Sequence, residues 1–269
     1  MKLGLGQAAR LKGLIKSWGC DLVGFGDVRE GLSTELIHLP VAISLAIENN
    51  VEDYPTQSET DLYMHINSSA ESKMAAIQKN IVLYLRNSGY LAFPIPPNTV
   101  KNPQKFHSIL FDFFPHRMAA TCAGLGWIGK NGMLINPKLG LRLIWATVLT
   151  NAPLTTARPV METECKECNL CVDACPSDAI HGVKWNRAEN PLAEMVDIDA
   201  CMSQLKSNEK EFGSAVCGIC TTICPLNFAN YYGTQEKPVK GNGNGSGRGS
   251  GWAGSIPLNG FRSKTNFNV

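Results

Sequence analysis

The spacing Cys165-x2-Cys168-x2-Cys171-x3-Cys175-Pro176 is a ligand pattern. Three thiols this close wrap one corner of an iron-sulfur cubane, and the fourth reaches away from it. A second set follows as Cys201 and then Cys217-x2-Cys220-x3-Cys224-Pro225, with its first ligand displaced upstream by an insertion. Where two such runs cooperate, the fourth cysteine of each ligates the other cluster. That rule predicts Cys165, Cys168, Cys171 and Cys224 on one 4Fe-4S cluster, and Cys175, Cys201, Cys217 and Cys220 on a second. The alternative is a pair of zinc sites. Zinc prefers separated ligand pairs, however, and neither run contains a histidine to complete one.

Ten cysteines would suggest disulfides in an oxidising compartment, but only Cys20 and Cys122 lie outside the 165–224 stretch, so metal ligation is the better account. Those two read as buried small side chains. Two clusters make an electron wire, and something else must consume the electrons. Some 160 residues precede the cysteines, more than a free-standing ferredoxin needs, which argues for a catalytic or cofactor-binding domain.

Gly124-Leu125-Gly126-Trp127-Ile128-Gly129 matches the dinucleotide fingerprint G-x-G-x-x-G. That reading is rejected, because the segment before it, from Phe114 to Ala123, has a helical rather than a strand pattern. No acidic residue follows until Glu162 to hold a ribose. Residues 113–161 carry Arg117, Lys130, Lys138, Arg142 and Arg158 without one carboxylate. With Gly124, Gly126 and Gly129 allowing close backbone approach, Trp127 as a flat surface and Lys130 as a cation, this segment suits a large ligand bearing amides and phosphate. The competing reading is a solvated basic face with packing glycines.

The elements that must position these groups are legible as mixed α/β. Residues 7–19 place Leu11, Leu14, Ile15 and Trp18 at helical spacing before a stop at Gly19 and the apolar run Leu22–Phe25. Residues 41–47 form a short apolar run of buried-strand length. Ser68 and Glu71 read as a capping box opening a helix with Met74, Ile77, Ile81 and Leu85 on one face, ending near Gly89. Pro94-Ile95-Pro96-Pro97-Asn98 reads as loop, and residues 141–150 as a further strand. The chain is expected to divide into an α/β cofactor or substrate domain at 1–154, a ferredoxin-like two-cluster domain at 155–232, and a Gly-rich flexible tail at 233–269.

A formal net charge of +2 gives no general reason to expect a nucleic-acid or membrane partner. Arg10, Lys12 and Lys16 interrupt the early apolar residues, so no signal-peptide core is read there, and no apolar stretch is long enough to span a membrane. A cytoplasmic location is expected.

Ala123-Gly-Leu-Gly-Trp-Ile-Gly-Lys-Asn131, the Tyr90–Asn98 loop and the Cys217–Pro225 run together resemble the epoxyqueuosine reductase family, cobalamin-dependent iron-sulfur proteins related to reductive dehalogenases. The resemblance covers roughly residues 5–228. It implies a nitroreductase-like cobalamin-binding α/β domain joined to the two-cluster module, with the clusters reducing the cofactor's cobalt. In the family an Asp in an Asp-x-x-Pro context donates a proton, and Asp112-Phe113-Phe114-Pro115 stands in that place, making Asp112 the implied general acid. His116, which follows Pro115 directly, is a further candidate proton donor, phosphate contact or axial ligand, against the plainer reading of a satisfied structural histidine.

The resemblance implies an external low-potential electron donor and a small-molecule or modified-nucleoside substrate. The tRNA partner of the family is less expected, because a Gly-rich tail stands where full-length members carry a helical-repeat extension. Two functions follow. One is a cobalamin-dependent reductase removing an epoxide oxygen or a similar group. The other is a non-catalytic protein delivering low-potential electrons to a separate corrinoid or flavin enzyme.

Overall fold

The computed structural model describes residues 5–48, 59–95, 114–189, 192–213, 215 and 217–228. Asp112, residues 96–98 of the proline loop and the tail from 233 onward lie outside them. The chain divides into two units, Met1–Tyr231 and Tyr232–Val269, and every described residue belongs to the first.

Helix α1 (Leu5–Ser17) buries Leu11 and Ile15, four residues apart on one face, and Gly19 ends it at φ 90°. Strand β1 (Leu22–Asp27) pairs antiparallel with β2 (Val41–Glu48). Helix α2 (Glu59–Asn87) follows, then β3 (Ala92–Ile95), helix α3 (His116–Cys122), the two-residue strands β4 (Trp127–Ile128) and β5 (Leu134–Ile135), and β6 (Leu143–Thr150). The main sheet runs β1-β2-β6-β3, with every neighbouring pair antiparallel, while β4 and β5 form a small hairpin of their own. The mixed α/β expectation holds, but these strands are not linked as parallel crossover units, so the sheet is of the α+β kind.

Both faces of β2 are covered, which explains its unbroken apolar run. Val41, Ile43, Leu45 and Ile47 join Leu11 and Ile15 of α1 and Met74, Ile77, Ile81 and Leu85 of α2 in one core. The alternate residues Ala42 and Ala46 face the other way, toward Ala119 and Ala120 of α3. Small residues there let α3 come down close onto the sheet. Each fully buried Leu or Ile contributes about 1.5–3 kcal/mol relative to exposure, so the α1–sheet–α2 sandwich supplies much of the stability.

Two expectations are corrected. Ser68 and Glu71 lie inside α2, which begins at Glu59. A capping box satisfies free donors only where the preceding residues have left the helix, and here the preceding turns are helical. Pro94 and Ile95 are not loop but the end of β3, paired with Val148 and Thr147. Because β3 is an edge strand, Pro94 leaves no ladder bond missing on its outer side.

The sequence boundary near residue 155 falls inside the first unit, and the segments on either side of it bond to one another. Ala157 N–H donates to the Phe25 carbonyl (2.8 Å), and Val160 N–H to that of Thr121 (2.9 Å). Arg187 donates from Nε to the Val160 carbonyl (3.0 Å) and from Nη1 to the Cys122 sulfur at the end of α3 (3.4 Å).

Candidate metal centres

The cysteine segment has little regular structure, and its loops are shaped by local backbone geometry. Lys166, between the first two cysteines, takes a left-handed φ of 47°, and Cys168 N–H bonds the Cys165 carbonyl at 3.0 Å. This tight turn closes the loop between the first two cysteines at some backbone cost. Helix α4 (Leu170–Asp173) carries Cys171 and ends before Cys175. After a bridge between Ile180 and Val196 and the short α5 (Leu192–Met195), Asp197 caps α6 (Ile198–Phe212) by accepting from Ala200 N–H at 2.9 Å. Cys201 sits in the first turn of α6, so this helix is the insertion that separates it from Cys217. Gly218 at φ 70° then opens α7 (Ile219–Thr222), which bears Cys220 and contacts α4, and Pro225 begins α8 (Pro225–Phe228) just after Cys224.

The thiols interact as two groups, the second lying in sequence between Cys171 and Cys224 of the first. Burial pushes the Cys171 thiol up to about 11, and Cys165, Cys168 and Cys224 add like-charge repulsion. Cys201 is raised by burial, then by Cys175 and Cys217. Cys220 is pushed up to about 12 by burial, then by Cys217, Cys171, Cys175 and Cys201, so the two groups adjoin at Cys171 and Cys220. Cys224, raised chiefly by burial, feels Cys165 and Cys168 from the far end of the second run.

Cys171, Cys201, Cys220 and Cys224 thus resist ionisation as free thiols, yet iron binds the thiolate. A cationic iron-sulfide core between the members of each group would remove the repulsion, so the donor set fits such a core. Among the described residues no three His, Cys, Asp or Glu converge as a site for a single ion. Ligands of a cubane stand farther apart than that, because each binds a different iron.

The glycine segment abuts these loops. Gly124, at φ 68°, follows the end of α3. A side chain on Gly126 would collide with the Ile135 carbonyl, and one on Gly129 with the Ile135 side chain, so both glycines close the β4–β5 hairpin. Trp127 is 8% exposed, and its indole N–H has no hydrogen-bond partner among the described residues. Lys130, 3% exposed, donates from Nζ to Asn169 Oδ1 at 2.6 Å, between Cys168 and Cys171. Its neighbour Asn131 donates from Nδ2 to the Cys220 carbonyl at 3.1 Å and accepts from Met133 N–H at 3.1 Å. Two consecutive side chains therefore reach one cysteine run each. Farther along, Gly140 lies so close to the Leu226 carbonyl of α8 that a Cβ would not fit.

His116 is buried, with Nδ1 at 2.8 Å from the Thr147 hydroxyl. Gln78 donates to the carbonyls of Thr147 (2.9 Å) and Ile95, so a polar seam joins α2, α3 and the sheet, and His116 reads as a structural residue. Arg117 donates to the Gly132 carbonyl at 3.3 Å, and burial lowers the pKa of its guanidinium. Cys20 and Cys122 are buried, as expected. Sequence reasoning missed Asn169 and Arg187, which are ordinary as types and acquire partners only across long separations. Asn131 stands within the glycine signature, but its contact with Cys220 was not anticipated.

Comparison with known proteins agrees with the cysteine pattern. Residues 164–227 match the 4Fe-4S double cluster binding domain family. An epoxyqueuosine reductase of Leadbetterella byssophila is 36% identical over 121 residues, covering 44% of this chain and 39% of that protein. The chain thus spans less than half the length of this curated relative. A solved epoxyqueuosine reductase bound to an epoxyqueuosine-modified tRNA stem loop superposes with TM-score 0.53 at 19% identity, over 83% of this chain and 66% of the other. A reductive dehalogenase whose structure suggests a mechanism for B12-dependent dehalogenation superposes with TM-score 0.53 at 19% identity, over 81% of this chain and 31% of the other. The chain resembles epoxyqueuosine reductases in sequence and shares its mixed α/β fold with them and with reductive dehalogenases. Among the described residues no helix is long and apolar enough to cross a membrane.

Proposed function

We propose that this protein is an iron-sulfur reductase of the epoxyqueuosine-reductase kind. The observation that carries the reading is the joining of two four-cysteine groups to the glycine loop through Lys130 and Asn131. Electrons from an external low-potential donor would enter through one cysteine group and leave toward the α/β domain through the other. Cys165, Cys168, Cys171 and Cys224 would hold one cluster, and Cys175, Cys201, Cys217 and Cys220 the second.

The N-terminal domain is proposed to be nitroreductase-like and to take cobalamin, which supplies strong low-potential reducing power when bound. Of Gly124, Gly126, Trp127, Gly129 and Lys130, Trp127 is the residue that fits such a ligand best. Its buried indole N–H lacks an acceptor among the described residues and would gain one from a corrin amide or phosphate. The glycines would shape the hairpin beside the cofactor rather than cradle it. Asp112 would deliver the proton that a departing epoxide oxygen needs, from a carboxyl whose phenylalanine neighbours in sequence favour the neutral form. The proposed substrate is a modified nucleoside bearing an epoxide or a related small molecule, with tRNA as its carrier by analogy to the relatives, and the proposed location is the cytoplasm.

The close packing of Gly126 and Gly129 against Ile135 favours a second reading, in which no cofactor is enclosed and the protein hands electrons to a separate corrinoid or flavin enzyme. One experiment separates the two. Anaerobically purified protein is assayed for iron and titrated with cobalamin, followed by absorbance and electron paramagnetic resonance. Full iron with a changed cobalamin spectrum supports the reductase; full iron with an unchanged spectrum removes it in favour of electron transfer.

A further inference from the structure

We propose that Lys130 is the fixed cation of the redox centre: its buried ammonium, held on Asn169, raises the reduction potential of the cluster carried by Cys165, Cys168, Cys171 and Cys224. The inference rests on the cluster reading above.

Lys130 is 3% exposed, and among the described residues its ammonium forms no ion pair with a carboxylate. A buried ammonium is costly unless an anion faces it. Glu167 feels the Lys130 charge, but its carboxylate is bonded to Lys184 at 2.5 Å. The Asn169 acceptor, 2.6 Å from Nζ, lies one residue after Cys168 and two before Cys171, which sets the ammonium against the loop that carries both thiols.

The lysine is also held in place from behind. Gly132 N–H closes a tight turn onto the Gly129 carbonyl at 2.8 Å, and Asn131 is pinned between Cys220 and Met133. A charge so fixed acts on the cluster without reorganisation.

When the cluster accepts one electron from an external donor, no bond forms or breaks, and the added charge stays on the iron-sulfide core and its thiolates. A neighbouring cation stabilises that reduced form more than the oxidised one, which raises the potential. The second cluster, fastened through the neutral Asn131 amide, receives less of this effect.

The test is a redox titration of the anaerobic iron-loaded protein with dithionite, read by electron paramagnetic resonance, for the wild type, Lys130→Gln and Lys130→Arg. Gln keeps a donor but removes the charge, and should weaken reduction of one cluster at least tenfold, about 59 mV for a one-electron couple. The other cluster should move less, and Arg should restore the wild-type value. Unchanged potentials in an iron-replete Lys130→Gln protein would overturn the inference alone, whereas wild-type protein without iron would overturn the cluster reading with it. If Lys130→Gln loses its iron, Lys130→Arg decides: full iron at wild-type potential supports the charge role, and loss there too refutes it.

Discussion

The side-chain amide of Asn131 donates to the main-chain carbonyl of Cys220 at 3.1 Å, across 89 positions of sequence. This bond fastens the turn after the β4 strand to the middle of the second cysteine run. Replacing Asn131 by Leu, similar in size, removes the donor and leaves a partly buried carbonyl unpaired, at a cost of about 1–3 kcal/mol. The variant should melt at lower temperature and lose iron preferentially from one cluster. An unchanged melting curve with full iron would mean that the two parts are held together by other contacts.

Cys201, in the first turn of α6 and near Cys175 and Cys217, is the proposed fourth ligand of the second group. Cys201→Ala should lower iron content from about eight atoms per chain toward about four, leaving one cubane intact. Retention of all iron would remove Cys201 from the ligand set and point to another donor.

Asp112 is proposed as the proton donor. Asp112→Asn should leave iron content and cluster spectra at wild-type levels while turnover of an epoxide substrate falls by about 100-fold or more, in line with loss of a general acid. Turnover at the wild-type rate would take Asp112 out of the mechanism.

Cys20 offers a pH test of the α/β core. Its thiol donates to the carbonyls of Leu22 (3.0 Å) and Ala46 (3.3 Å), and burial pushes it from the ordinary 9.0 up to about 12. The folded protein thus holds this proton more tightly than the unfolded chain does. The associated stability is complete below pH 9.0 and is lost as pH rises through about 12. Every tenfold gain in proton affinity on folding is worth at most about 1.4 kcal/mol. Denaturant melts across this window should show stability falling with pH in the wild type and falling less in Cys20→Ala. Parallel slopes in the two proteins would contradict the assignment.

Much of the candidate site was legible because its information is local. The spacing of Cys165, Cys168 and Cys171 alone points to the 4Fe-4S double cluster binding family that residues 164–227 match, since three residues of chain is what one corner of a cubane allows. The buried face of α2 was readable from Met74, Ile77, Ile81 and Leu85, because their helical period survives whatever the helix packs against. The stops at Gly19 and Gly89 were equally local, both glycines taking a positive φ.

The errors came where a local signal had a tertiary answer. Ser68 and Glu71 carry a capping signature inside a helix that continues through them, and Pro94 looked like loop until an edge position in the sheet made room for it. What the glycine signature packs against was likewise hidden from the sequence: Gly126 and Gly129 lie against Ile135, which reaches them by a hairpin closed within the same segment.

Composition and spacing by themselves therefore determined the metal chemistry, the mixed secondary structure and the apolar faces, because each is set by residues within a few positions of one another. The antiparallel order of the sheet, the closing of the glycine loop and the reach of Lys130 to Asn169 across 39 positions were decided by tertiary structure. An ammonium chooses its partner by distance and burial after the chain has folded, and neither quantity exists along an extended sequence.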